Sequence, residues 1–283
     1  MFISGIADEA GQDIDTQIRA HRTLDWKHIE LRNIDGVNLT NVSDRQFEGI
    51  VEKLSQAHIA VSCFASALCN WSRKISNPFK VDTTELARAI PRMHRLNTPF
   101  IRIMSYPNDS LSQEDWKRQV VKRIRELAHM AADGGIILAH ENCDGWASQS
   151  ARHSLELLET VDSPALKLIY DTGNPVWHDQ DGWEFYSQVA DHTVYVHVKD
   201  ATKTPDKVQP CFAGEGAGQV ERIITDLVCR GYDGGFSIEP HMATVIHEDK
   251  QADAPAQAYD LYLEYGRRTE ALLEKAKIKK QES

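Results

Sequence analysis

The sequence predicts an α/β fold, a (β/α)8 barrel, and three observations carry that prediction. Eight short apolar runs alternate strictly with eight longer amphipathic ones, a pattern that calls for parallel strands joined by helical crossovers. The chain has 283 residues, close to the roughly 250 that one such barrel needs. No Ser/Gly-rich linker, low-complexity stretch or internal repeat divides it. Residues 1–283 therefore read as one barrel domain, with 276–283 a charged C-terminal tail at a solvated helix end.

The strands, in order, are FISGIA from Phe2, HIELR from His28, IAVSCFA from Ile59, PFIRIM from Pro99, GIILAHEN from Gly135, LKLIYD from Leu166, TVYVHVKD from Thr193 and GFSIEP from Gly235. Helical periodicity fills the intervals: DIDTQIRAHRTL, SDRQFEGIVEKLSQA, DTTELARAIPRMHRL, SQEDWKRQVVKRIRELAHMAAD, HSLELLETV, DGWEFYSQVA and QVERIITDLVCR, then AQAYDLYLEYGRRTEALLEKAK after the last strand. Ser43 with Gln46, and Ser112 with Asp115, have the spacing of N-terminal capping pairs, the second with Asp in place of Glu or Gln. An open doubly wound sheet shows the same alternation; the count of eight, the length and the missing linker favour the closed barrel.

Composition removes several function classes. Lys and Arg number 32 against 42 Asp and Glu, a net charge of −10. That acidic balance counts against a nucleic-acid binder, whose affinity rests on phosphate contacts from a basic surface. The five cysteines, Cys63, Cys69, Cys143, Cys211 and Cys229, are scattered without a C-x-x-C pair, which fits reduced thiols rather than a disulfide framework or a zinc–thiolate site. The start, MFISGIADEA, has neither a basic n-region nor an apolar h-region, and no stretch approaches the ~18 apolar residues of a membrane span. A cytoplasmic protein with no membrane partner is expected.

In a (β/α)8 barrel, chemistry collects at the C-terminal ends of the strands. The fifth strand ends in His140-Glu141-Asn142, the sixth in Asp171, the seventh carries His197-Val198-Lys199-Asp200, and the eighth ends in Glu239-Pro240-His241. Four successive strands thus offer Glu141, Asp171, His197 and Glu239. Adjacent strands lie ~4.8 Å apart, so these side chains can converge above the barrel. Buried carboxylates repel one another and pay heavily for desolvation unless a cation joins them. Oxygen ligands with one histidine suit one divalent ion, Mn²⁺ or Mg²⁺ first, with Co²⁺ or Zn²⁺ as alternatives.

The segments LAHENCDGW from Leu138, YDTGNP from Tyr170, YVHVKDA from Tyr195, AGEGAGQ from Ala213 and GYDGGFSIEPH from Gly231 resemble those of the sugar phosphate isomerase/epimerase superfamily. These are xylose isomerase-like barrels that include ketose 3-epimerases and inosose dehydratase. The likeness covers the second half well and the first half by strand pattern. It implies that Glu141, Asp171, His197 and Glu239 bind one divalent metal, and that Glu141 and Glu239 exchange the substrate proton from opposite sides. The sequence departs from the ketose 3-epimerases in carrying Asn174 where they usually place a substrate-binding His. It also lacks the additional His and Asp ligands of two-metal xylose isomerases and three-zinc abasic-site endonucleases.

Further substrate contacts are expected from Lys199, Asn174, Glu215, His241, Arg102 and Trp71. Lys199 shares strand parity with His197, so it faces the interior or snorkels at the rim. Glu30, Arg32 and Arg102 occupy inward positions, where a structural Arg–carboxylate pair comes first and substrate contact second. The glycine-rich Gly214-Glu215-Gly216-Ala217-Gly218 lacks the Lys-Ser/Thr of a phosphate loop. As the loop after strand seven it is expected to order around substrate, Glu215 adding a hydrogen bond. Trp71, Trp146, Trp177 and Phe212 fall in loops after strands, as pocket walls or loop packing. Asp8 and Glu9 are expected to be solvated or capping.

With the resemblance, these residues imply a metal-dependent sugar isomerase or epimerase, expected to move a proton through an enediolate on a small keto- or aldo-sugar or polyol, phosphorylated or not. The alternative is a lyase or dehydratase of a keto-sugar or keto-inositol; an abasic-site endonuclease and a non-catalytic sugar binder rank below. A homo-oligomer is compatible with this reading.

Overall fold

In a computed structural model, residues 1–243 and 255–282 are described. The barrel strands are β1 (Phe2–Gly5), β2 (His28–Leu31), β3 (Ala60–Phe64), β4 (Phe100–Ser105), β5 (Ile137–Gly145), β6 (Leu166–Asp171), β7 (Thr193–Val198) and β8 (Gly235–Ile238). Each pairs in parallel with its sequence neighbour from β2 through to β8, and β8 pairs with β1. A single parallel bridge between Ile6 and Glu30 joins β1 to β2, so the sheet is a nearly closed barrel.

The crossovers are α1 (Ile14–Thr23), α2 (Asp44–Ala57), α3 (Lys80–Leu96), α4 (Gln113–Asp133), α5 (Ala151–Val161), α6 (Gly182–Val189) and α7 (Val220–Arg230); α8 (Pro255–Glu282) follows β8. Both capping pairs form. Ser43 and Gln46 make a full capping box, and Ser112 Oγ accepts from the Asp115 amide. Asp13, Ser150 and Asp181 cap α1, α5 and α6 in the same way, each such cap being worth about 1 kcal/mol. α8 carries the charged C-terminal segment as far as Glu282, with Ala276 buried and Lys279 bonded to Glu221.

Strand periodicity divides the barrel into two environments. Outward residues such as Leu138, Leu168, Val196, Val198, Phe236 and Ile238 are buried under the helices. Inward residues begin with an apolar layer of Cys63, Ala139, Ile169 and Tyr195, flanked by Phe2 and Phe100. Two residues further along the same strands stand Glu141, Asp171 and His197. An alternation of two along each strand therefore turns an apolar floor into a polar mouth.

Candidate metal centre and substrate chamber

Glu141, Asp171, His197 and Glu239 come together, each offering a ligand atom within 4.8 Å of the others, and all four are buried. His140 lies on the opposite face of β5, fully buried, with neither ring nitrogen hydrogen-bonded; burial lowers its pKa to about 4. Asn142 clamps the neighbouring strand instead, donating to the Asp171 carbonyl and accepting from its amide. The Asp171 carboxylate also accepts from the amides of Gly173 and Asn174, at 2.8 and 2.7 Å. Its position is thus set by backbone before any ligand arrives.

His197 is oriented from both sides. Its Nδ1 lies 3.1 Å from Glu141 Oε1 and its Nε2 3.1 Å from Glu30 Oε1. Burial opposes a charged imidazole, but these two carboxylates outweigh it and raise the pKa well above the usual value. Burial also pushes Glu141 upward, yet Arg102, 3.4 Å away, and His197 hold it down near about 2. In Glu239 the same contest is won by Lys199 and neighbouring histidines, leaving it well below the ordinary range. Asp171 goes the other way: burial raises it to about 6 despite Lys199.

Lys199 does not snorkel. It is 2% exposed, with Nζ 3.0 Å from Asp171 Oδ2 and 2.9 Å from Glu239 Oε2. Arg102 reaches Glu141 and, at 4.0 Å, Glu239, which is the structural pair across the barrel. Asp8 and Glu9, expected to be solvated or capping, are buried, and their carboxylates accept from the backbone amides of Asn33 and His241. Arg32 draws them in, its Nε donating to both Asp8 oxygens, Nη2 to Glu9 and Nη1 to Glu239 at 2.9 Å. Burial pushes Glu9 up to about 8 against the pull of Arg32. No local pattern around Asp8 announced this, because the partner arginine sits just after the next strand.

The donor set fits a divalent cation. Glu141 Oε2 and Asp171 Oδ2 are buried and accept no hydrogen bond, although each lies near a cation, and three carboxylates with one imidazole are donors that such an ion takes.

Above this centre, Trp71, Asn174 and His241 line one cavity of about 300 Å³ with Cys143, Asp144, Trp177 and His178. Asn174 Nδ2 lies 3.3 Å from Glu141 Oε1, and His241 Nε2 3.4 Å from Glu239 Oε1, so the chamber opens on the carboxylates. Trp146 is buried in the barrel wall against His153, and Phe212 lies under the Arg268 guanidinium. Neither lines the chamber.

Glu215 stands apart from all of this. Its carboxylate pairs with Arg268 on α8, and the glycine-rich loop wraps a side chain of the protein itself. The amides of Gly214, Gly216 and Gly218 all donate to the Asp200 carboxylate, each at 2.9 Å. A Cβ on Gly216 or Gly218 would lie 2.3 or 2.9 Å from Asp200 Oδ1, so these glycines serve close approach to that carboxylate. The structure thus places the loop on Asp200 and Glu215 on Arg268, and not among the residues that line the chamber.

Eight βα units around a buried carboxylate–imidazole cluster define a TIM barrel with the donor set of a divalent-metal site at its C-terminal mouth. The chain belongs to the Xylose isomerase-like TIM barrel family, whose description matches residues 18–262. It is 30% identical over 176 residues to a 2-epi-5-epi-valiolone 7-phosphate 2-epimerase of Actinoplanes sp., covering 61% of each chain. It is 22% identical over 163 residues to an inosose dehydratase of Geobacillus thermodenitrificans, covering 52% of this chain and 54% of that protein. The matched stretches thus span little more than half of those relatives' own lengths. A xylose isomerase-like TIM barrel protein from Mycobacterium smegmatis, solved in complex with magnesium, has the same fold, with a TM-score of 0.69 at 18% identity over 98% of this chain and 97% of that one. Among the described residues, no helix is long and apolar enough to cross a membrane.

Proposed function

We propose that the chain is a divalent-metal-dependent isomerase or epimerase of a small sugar or polyol bearing a carbonyl, with Glu141 and Glu239 as proton carriers. The observation that carries this reading is the buried set of Glu141, Asp171, His197 and Glu239 at the floor of a chamber walled by Trp71 and Trp177. A divalent ion held by these four supplies polarisation of the carbonyl, which makes the neighbouring C–H acidic. Glu141 on β5 and Glu239 just after β8 approach from different sides, so one takes the proton and the other returns it. Return to the opposite face inverts the centre; return to the adjacent carbon interconverts aldose and ketose. Asn174 and His241 present polar groups to substrate hydroxyls, and the two tryptophans offer apolar faces to the ring and exclude water. The magnesium complex of the Mycobacterium smegmatis protein and the epimerase relative support this reading.

A second reading shares the first proton transfer and then expels a β-hydroxyl as water. The inosose dehydratase relative supports it, and so does Lys199, whose buried ammonium stands among the ligand carboxylates and, displaced from them by a metal, can protonate a departing hydroxyl. Incubating candidate keto-sugars and keto-inositols with metal-loaded protein in D₂O separates the two. Deuterium in an isomeric product without loss of water supports the isomerase, and an unsaturated or deoxy product supports the dehydratase. Absence of both exchange and product across the panel overturns the enzymatic reading in favour of a binder.

A further inference from the structure

Lys199 sits where a metal ion would find two of its four ligands. Its Nζ bridges Asp171 Oδ2 and Glu239 Oε2 at 3.0 and 2.9 Å, and both residues belong to the cluster whose ligand atoms lie within 4.8 Å. The seat is built for it. A Cβ on Gly173 would lie 2.7 Å from Lys199 Cγ and 2.9 Å from its Cβ, while Gly173 has an ordinary φ of −93°. Glycine is needed there for the lysine stem, not for backbone freedom. Thr172 Oγ1 accepts from the Lys199 amide and donates to its carbonyl, at 3.0 and 2.7 Å, locking the backbone of the two strand ends together.

We propose that Lys199 is the internal cation of the metal-free centre: its ammonium keeps Asp171 and Glu239 in ligand position, and an incoming divalent ion must displace it from their oxygens. This rests on the metal centre proposed above. Carboxylates crowded in a dry pocket repel one another, and the ammonium offsets that repulsion when no metal is bound. The divalent ion carries twice the charge and binds oxygen at about 2.0–2.6 Å, closer than any ammonium, so it wins the competition. Separating the buried ion pairs costs part of its binding free energy. Lys199 therefore weakens metal affinity while protecting the empty site.

The test compares chelator-stripped wild type with Lys199→Met and Lys199→Arg by Mn²⁺ titration calorimetry and thermal unfolding. Met keeps most of the stem and removes the charge. Lys199→Met is expected to bind Mn²⁺ at least about tenfold tighter than wild type, to unfold at a lower temperature when metal-free, and to gain more from added Mn²⁺. Lys199→Arg keeps a cation and is expected to stay near wild type. If metal-free Lys199→Met does not fold, the rate at which EDTA strips Mn²⁺ from the metal-loaded variant decides, and slower stripping is expected. Equal or weaker affinity, or stripping as fast as wild type, overturns the inference while leaving the metal centre intact. A wild type that takes up no divalent ion overturns the metal centre and this inference together.

Discussion

Glu30 Oε1 lies 3.1 Å from Nε2 of His197, on the far side of the ring from Glu141. The imidazole is held between carboxylates of β2 and β5, and the Glu30 contact decides which nitrogen faces the cluster. A proton on Nε2 directed at Glu30 leaves the Nδ1 lone pair for a metal, the arrangement in which a carboxylate orients a ligand histidine. Glu30→Ala should weaken Mn²⁺ binding by about 10–100-fold, read by calorimetry, and Glu30→Gln, which keeps an acceptor, by less. Unchanged affinity in Glu30→Ala would show that His197 is oriented by other contacts.

Glu141→Gln and Glu239→Gln each retain shape and one coordinating oxygen but cannot shuttle a proton. Each should lower turnover by about 10²–10⁴-fold while metal remains bound, measured as product formation beside elemental analysis. In a two-base epimerase, one single variant should still exchange solvent deuterium into one epimer. Near-normal turnover by either variant removes that glutamate as a proton carrier.

The pH dependence of stability should carry a signature of Glu9. Its pKa is raised from 4.5 to about 8 by burial, so the folded state holds this proton more tightly than the unfolded chain. Its contribution is full below about pH 4.5 and is lost as pH rises through about 8. Denaturant unfolding of metal-free protein across pH 5 to 9 should show stability from this group declining upward. Glu9→Gln, which mimics the protonated form, should flatten that decline, and an identical slope in the variant would refute the assignment.

The Asp200 carboxylate gathers four backbone amides, those of Ala201, Gly214, Gly216 and Gly218. Asp200→Ala strands these donors and should destabilise the protein by roughly 3 kcal/mol or more, since each buried unpaired group costs about 1–3 kcal/mol. Glu215→Ala touches only an exposed pair with Arg268. It should cost under about 1 kcal/mol and leave turnover unchanged. A fall in kcat/KM for Glu215→Ala at constant metal content would return this loop to the substrate site.

The barrel was legible because its evidence is local. Strand and helix periods and capping serines are each contained within a short window of chain. The same locality exposed the four ligand candidates, since the last inward residue of a strand can be named once the strand is. Asn174, His241 and Trp71 were legible as residues following strand ends, and one cavity receives all three.

Partner choice was not legible. Arg32 joins Glu239 across 207 positions of sequence, Asp8 across 24 and Glu9 across 23, and only closure of the barrel through β1, β2 and β8 makes one guanidinium reach all three carboxylates. The sequence by itself determined the βα alternation and the identity of the polar residues at each strand end. Tertiary structure alone decided that Asp8 and Glu9 are buried, that Lys199 bridges two ligand carboxylates, and that the glycine loop serves Asp200 while Glu215 turns to α8. The physical reason is that periodicity is a property of neighbours along the chain. A charge contact is settled by which strands and loops close over the same dry volume, and there the strongest available partner wins.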